Sequence, residues 1–318
     1  MRSVYGYLGR RLALSLLMLW LVSVLVFLFV RAIPGDPITA QGGTIALSSE
    51  EAQELRRQLG LDKPLVVQYL IWARDFLRGD GGRSIVHGNS TVENLLDALP
   101  VTLEIAGGAL LGALLVAVPL GTLAAIRANR PEDYGARVFS LAGLSVPDFW
   151  LGTVILLYLA IWFGWTVPFG YRPPWEDPGR NLVQFAIPVG VLSLRLSAST
   201  LRFVRAGVLE VLREDYVRTA TAKGLPGSVV IRRHALRNAL IPVATVIGVQ
   251  TAYLIGGAVV METLFSLPGV GRLTLASLMQ RDYTQLQTNI MFLAAMTVAI
   301  NFVVDALYAA IDPRVRGL

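Results

Sequence analysis

A chain of 318 residues that is 54% hydrophobic and only 16% charged, with a mean hydropathy of +0.58, does not have the composition of a soluble domain. It has no cysteine and two distant histidines, His87 and His234. Disulfide and thiolate chemistry are therefore excluded, and a zinc site, which draws on three or four ligands, is not expected. The excess of six positive charges would suggest nucleic acid as the partner of a soluble protein. In a membrane protein the placement of the charges matters and their sum does not, and no nucleic-acid partner is expected.

The first uncharged run, residues 12–30, follows Arg10 and Arg11 and is long enough to cross a hydrocarbon core about 30 Å thick. A signal peptide is the competing reading. The run is long for one, and Arg31-Ala32-Ile33-Pro34 makes a poor small-residue cleavage site. Residues 31–98 then change character, with seven basic and nine acidic residues and the pairs Gly42-Gly43 and Gly81-Gly82. Ser48 or Ser49, followed by acidic residues and apolar positions up to Gly60, predicts a capped helix. The spacing over residues 66–77 predicts a second, amphipathic one.

Five more uncharged stretches follow: 105–126, 149–171 with 138–147 just before it, 185–194, 239–261 and 283–304. The stretch at 185–194 is too short to cross and has to continue past Arg195. Six spans result. Basic residues collect at Arg2, Arg10 and Arg11, at Arg127, Arg130 and Arg137, at eight positions from Arg202 to Arg237, and at Arg314 and Arg316. The other connections are nearly neutral. The side rich in Lys and Arg is cytoplasmic, so both termini are expected there, which requires an even number of spans.

Residues 206–238 form the longest basic connection. The apolar residues Val208, Leu209, Val211, Leu212, Tyr216, Val217 and Ala220 recur every three or four positions, which predicts an amphipathic helix at the membrane edge. Gly224 and Pro226 then supply a stop and a turn. This pattern suits a basic connector held at anionic headgroups as well as it suits a docking element.

Charges inside spans are costly and usually functional, which singles out Asp148, Arg195 and Asp305. Asp305 lies near a helix end, where snorkelling accounts for it. Counted from residues 138 and 184 at 1.5 Å each, Asp148 lies roughly 15 Å deep and Arg195 roughly 16 Å from the opposite surface. In a core of about 30 Å the two should meet near the midplane, either as a structural pair or as part of a substrate or ion site. Gly108 and Gly112 have the spacing that lets helices approach closely. No Gly-x-x-x-x-Gly-Lys-Ser/Thr loop is present, so the chain does not cradle ATP by that route.

The stretch Tyr216-Val217-Arg218-Thr219-Ala220-Thr221-Ala222-Lys223-Gly224, followed by Arg233-His234-Ala235-Leu236-Arg237-Asn238-Ala239-Leu240-Ile241-Pro242, resembles the cytoplasmic loop of binding-protein-dependent ABC importer permeases, in the DppB/OppB-like peptide branch. The resemblance runs along the whole chain, through Arg10-Arg11, Pro34-Gly35-Asp36-Pro37, Leu99-Pro100 with Thr102-Leu103-Glu104, Pro119-Leu120-Gly121-Thr122, Ser145-Val146-Pro147 before Phe149-Trp150-Leu151-Gly152, Pro268-Gly269-Val270-Gly271, and Asp312-Pro313-Arg314.

The resemblance implies an all-α, multi-pass permease of the type I importer architecture in a bacterial or archaeal cell (inner) membrane. It implies a transmembrane helix over 1–34, a helical extracytoplasmic insertion over 35–98, and a five-helix permease domain over 99–318. The implied partners are a second homologous permease, two cytoplasmic ATPase subunits or domains, an extracytoplasmic substrate-binding protein and membrane lipids. ATP and magnesium would be held by the ATPases, and no cofactor by this chain. Glu214, Asp215, Tyr216, Arg218, Thr219, Ala220, Ala222, Lys223, Gly224 and Leu225 would form the element that docks on an ATPase. Where the broader family has Glu-Ala-Ala, this chain has Arg218-Thr219-Ala220, so Glu214 and Asp215 are the available acidic contacts. Short peptides are the expected cargo. A nickel chelate or glutathione is the alternative within the family, and an ion-coupled secondary transporter the alternative outside it.

Overall fold

The computed structural model describes residues 4–32, 62–168 and 170–311. The helix expected before Gly60 lies outside these residues. Among the described residues ten helices of eight residues or more follow in chain order: α1 (Val4–Ala32), α2 (Leu65–Leu77), α3 (Thr91–Ile126), α4 (Pro131–Ser145), α5 (Asp148–Phe163), α6 (Pro178–Val211), α7 (Asp215–Ala222), α8 (Arg237–Leu264), α9 (Val270–Met279) and α10 (Tyr283–Ile311). A short turn and a π-helical segment, Val230–Leu236, join α7 to α8.

Among the described residues four helices are long and apolar enough to cross a membrane: Leu8–Ala32, Thr91–Ile126, Pro178–Val211 and Tyr283–Ala306. The pair α4 and α5, bent by 90° at its break, makes a fifth if taken as one span. The bend falls where Val146 and Pro147 take extended backbone, because Pro147 disfavours helical geometry in the residue before it. The expected span over 149–171 is shorter than its apolar run. Gly164, at φ +60°, caps α5 after Phe163, and residues 164–168 and 170–177 lie outside any helix. The short stretch at 185–194 belongs to a helix of 34 residues that carries Arg195 in its middle.

Helices α3 and α6 are the spine of the bundle. Along α3, Val101, Ile105, Ala109, Ala113, Ala117 and Gly121 recur every fourth residue and are all buried. This small-residue seam lets α6 come close, the way helices associate when lipid offers no hydrophobic drive. The fit is tight at Gly121, where an added Cβ would lie 2.9 Å from the Leu201 carbonyl, and at Gly112, where it would overlap the Ser193 hydroxyl. The α8 residues Leu254, Ala258 and Met261 complete the core with Phe185, Leu192 and Leu196 of α6. The outward faces of α1 and α5 carry exposed Met18, Leu25, Ile161 and Trp162, as faces turned to lipid do.

α1 is held at both ends. Arg11 forms an ion pair of 3.0 Å with Asp305 of α10, which gives Asp305 a partner on the first helix. At the other end Phe27 packs edge-on to Tyr69 of α2, with ring centroids 5.5 Å apart, and the Tyr69 hydroxyl shares a 2.8 Å hydrogen bond with Ser23.

Candidate functional site

The basic connection folds into two helices where the apolar periodicity suggested one. α6 ends at Val211, the backbone turns over Leu212, Arg213 and Glu214, and α7 restarts at Asp215. The three-to-four spacing continues across the turn because both helices bury the same side: Val217 and Ala220 of α7 sink against Val230, with Val211 and Leu212 beside them. Asn238 donates a 2.8 Å hydrogen bond to the Tyr216 hydroxyl, tying α7 to the start of α8. The helix stops because Gly224 adopts φ +79°, a left-handed conformation that costs a β-branched residue heavily.

Apart from the Tyr216 hydroxyl bonded by Asn238, the other face of α7 is open among the described residues. Tyr216, Arg218, Thr219, Ala222, Lys223, Gly224 and Leu225 are exposed. The Asp215 side chain is 96% exposed and only loosely paired with Arg218, at 3.5 Å, while Glu214 stands at the N-cap without a side-chain cap bond. The result is a short platform anchored by two small apolar side chains, Val217 and Ala220, with a largely polar upper surface left exposed.

The structure places Asp148 and Arg195 together. Arg195 Nε lies 3.7 Å from Asp148 Oδ2, Tyr253 of α8 donates to the same oxygen at 3.5 Å, and the guanidinium sits 5.1 Å above the Tyr253 ring. These are loose contacts, well beyond the roughly 2.8 Å of a tight charge-assisted bond. The pair stands between two cavities. One, of about 500 Å³, is lined by Phe149, Tyr253, Gly256 and Gly257; the other, of about 220 Å³, by Phe139, Gly143 and Leu194.

Three polar constellations were not singled out from the sequence. Glu262, at the end of α8, is fully buried. It accepts a 2.6 Å hydrogen bond from Thr102 of α3 and one of 2.9 Å from the Arg272 backbone N–H at the start of α9. The Thr102 hydroxyl in turn accepts from the Val270 N–H at 2.9 Å. Gly269 has to be glycine, since a Cβ there would occupy the Glu262 carboxylate. At the same end of the bundle Asp282 accepts from Ser84 at 2.5 Å and from the Ile85 N–H at 3.2 Å, and Asn94 donates to Gln285 at 2.8 Å. At the opposite end Asp133, also fully buried, accepts two bonds from Arg205, at 2.6 and 2.8 Å, and two from Arg137, at 2.7 and 3.3 Å.

Comparison with known proteins places these features. A family profile described as binding-protein-dependent transport system inner membrane component matches residues 117–317, and the N-terminal profile of the same kind of component matches residues 4–106. The chain belongs to this family. It is 37% identical to the di/tripeptide transport system permease protein DppB of Pseudomonas aeruginosa, covering 98% of both chains. It is 35% identical to the oligopeptide transport system permease protein AppB of Bacillus subtilis, over 98% of this chain and 99% of that one. With the glutathione transport system permease protein GsiC of Escherichia coli it shares 36% identity, with 98% and 99% coverage. Among solved structures, an amino acid ABC transporter with histidines superimposes with a TM-score of 0.51 at 15% identity, covering 70% of this chain and 94% of that one, which shows a shared fold.

Membership makes this permease a transport component of a multi-pass inner-membrane system, and not an enzyme. A binding-protein-dependent system of the ABC class works with an ATPase and a substrate-binding protein. The platform α7, Asp148, Arg195, the Asp133 cluster and Glu262 fall within the residues 117–317 that the main profile matches, and Thr102, which bonds Glu262, within the N-terminal profile.

Proposed function

We propose that this permease is one of two homologous membrane subunits of an ATP-driven importer for short peptides, resting on two ATPase subunits that hold ATP and magnesium. Six spans, with α4 and α5 together as the third and α8 as the fifth, put both termini in the cytoplasm and residues 35–98 outside it. Residues 1–34 supply the first span and 99–318 the five-helix domain, with the coupling loop at 206–238. The charge distribution supports this orientation.

The observation that carries the reading is α7, an eight-residue helix with its apolar side buried and its polar side open. It stands in the basic connection, on the side where an ATPase must dock. Named relatives serve di- and tripeptides, oligopeptides and glutathione, solutes that share peptide backbone and charged ends. The loosely paired Asp148 and Arg195, with Tyr253, suit a pathway wall for such cargo, since each charge can exchange its partner for a charge on the solute.

Two measurements test the proposal. A photo-reactive amino acid at Thr219 should crosslink to an ATPase subunit in native membranes; adducts with lipid alone would overturn the docking role. Proteoliposomes holding the whole complex and its binding protein should accumulate labelled dipeptide only with ATP on the ATPase side. Uptake driven by a proton or sodium gradient in its place would overturn the ATP-driven reading.

A further inference from the structure

The cluster at Asp133 holds more positive charge than its ion pairs neutralise. Arg137 and Ser140 of α4, with Arg202 and Arg205 of α6, line an open cavity of about 480 Å³ together with Leu141. Three guanidiniums thus converge on a region whose buried acid is Asp133. That carboxylate is already occupied: it accepts from Arg205 through both oxygens, from Arg137, and from the Asn129 backbone N–H at 2.9 Å. Arg202 makes no hydrogen bond or ion pair among the described residues. The Ser140 hydroxyl, on a residue only 1% exposed, has no hydrogen-bond partner either. A buried hydroxyl left unpaired costs stability, and a concentration of arginines calls for an anion with several oxygens.

The surroundings identify the kind of anion. Next to the cavity α4 presents Tyr134, Val138 and Leu141, and α6 presents Phe203, all exposed apolar side chains. Leu141 lies about 6 Å further along α4 than Arg137, toward the middle of the helix pair. Charge at one level and an apolar strip leading away from it match an amphiphile, whereas an inorganic anion or a free nucleotide would leave the strip bare. Basic pockets between transmembrane helices on the cytoplasmic side suit anionic headgroups.

We propose that the cleft between α4 and α6 is a binding site for an anionic phospholipid, its phosphate held by Arg137, Arg202, Arg205 and the Ser140 hydroxyl and one acyl chain lying along Val138 and Leu141. Arg205 and Arg137 keep their bonds to Asp133, so the headgroup is read by a preassembled fork and Arg202 closes over it. The leaflet follows from the orientation proposed above; the site itself does not depend on it.

The test uses the assembled transporter in mild detergent, titrated with fluorescent phosphatidylglycerol and, for comparison, phosphatidylcholine. The wild type should bind the anionic lipid more tightly. Arg202→Gln, which removes no hydrogen bond or ion pair among the described residues, should weaken that binding about fivefold, the share of one basic residue near a membrane surface. Ser140→Ala should weaken it as well, and Arg202→Lys should restore part of the loss. Inorganic phosphate at tens of millimolar should leave the lipid in place. Equal affinity for Arg202→Gln and wild type would overturn the proposal, and so would displacement of the lipid by inorganic phosphate, which would make the cleft a free-anion site. A photo-reactive residue at Leu141 that labels a neighbouring subunit in place of lipid would overturn it too, by showing protein over the cleft.

Discussion

Thr102→Val tests the buried joint between α3, α8 and α9 with almost no change of shape. The hydroxyl donates to Glu262 at 2.6 Å and accepts from the Val270 N–H at 2.9 Å, and both Thr102 and Glu262 are buried. The valine removes one hydrogen bond to a buried carboxylate, worth about 1.5 to 3 kcal/mol, and leaves a buried backbone N–H unpaired, worth about 1 to 3 kcal/mol. The two losses share one atom and do not add fully. A total of roughly 2 to 4 kcal/mol is expected, which at about 2 °C or more per kcal/mol for a chain of this size lowers the midpoint by at least about 4 °C. The assay is thermal unfolding of the solubilised complex, followed by intrinsic fluorescence. Thr297→Val is the control, because Thr297 only back-bonds to the Leu293 carbonyl one turn earlier and should cost well under about 1 kcal/mol. A Thr102 variant no less stable than this control would refute the reasoning that the hydroxyl bridges Glu262 to α9.

Three further outcomes are expected. Gly224→Val forces a β-branched residue into φ +79°, at a cost on the order of 1 to 3 kcal/mol; transport should fail while the subunit remains in the membrane at normal abundance, and uptake at the wild-type rate would remove α7 from the coupling role. Asp148→Asn leaves Arg195 without its carboxylate and should cut uptake at least tenfold, with part of the activity returning when the two residues are exchanged; full activity of the single variant would show that the pair is dispensable. Leu77, highly exposed at the end of α2, can be made the chain's sole cysteine; it should react with an impermeant thiol reagent in intact cells, and labelling only after lysis would invert the proposed orientation.

Helix positions were legible where apolar runs were long. α1 and α10 follow directly from their uncharged stretches and α2 from a 3.6-residue period, while α3 starts at Thr91, fourteen residues before its uncharged stretch, and runs through the expected boundary at 98/99. Two departures have a common cause, since hydropathy reports burial and not backbone geometry. The run through 149–171 continues in apolar character past Gly164, yet a left-handed glycine ends the helix there. The period through Val208 and Ala220 continues across a turn because two separate helices bury the same side. Asp148 and Arg195 stood out as charges inside apolar runs and do meet, but the depth count assumes an unbroken helix from residue 138, and the chain bends by 90° just before Asp148. Glu262 and Asp133 did not stand out, because each sits at the end of its run beside other polar residues and looks like a surface residue in sequence. The signals were there in part: Thr102 and Pro268-Gly269-Val270-Gly271 both belong to motifs that carry the family resemblance, but only the fold shows that they share a carboxylate.

The length of α6 has a mechanical consequence. At 34 residues without a break it is about 51 Å long, well beyond the thickness of a hydrocarbon core of about 30 Å. It joins the connection after α5 to the turn that leads into α7, with Arg195 near its midpoint. A tilt of about 10° about that midpoint would carry each tip through roughly 4 Å while barely displacing the centre, as simple leverage on a rod of 1.5 Å per residue requires. If α6 turned as a rigid rod about that midpoint, its two ends would move in opposite senses while Arg195 kept its place beside Asp148.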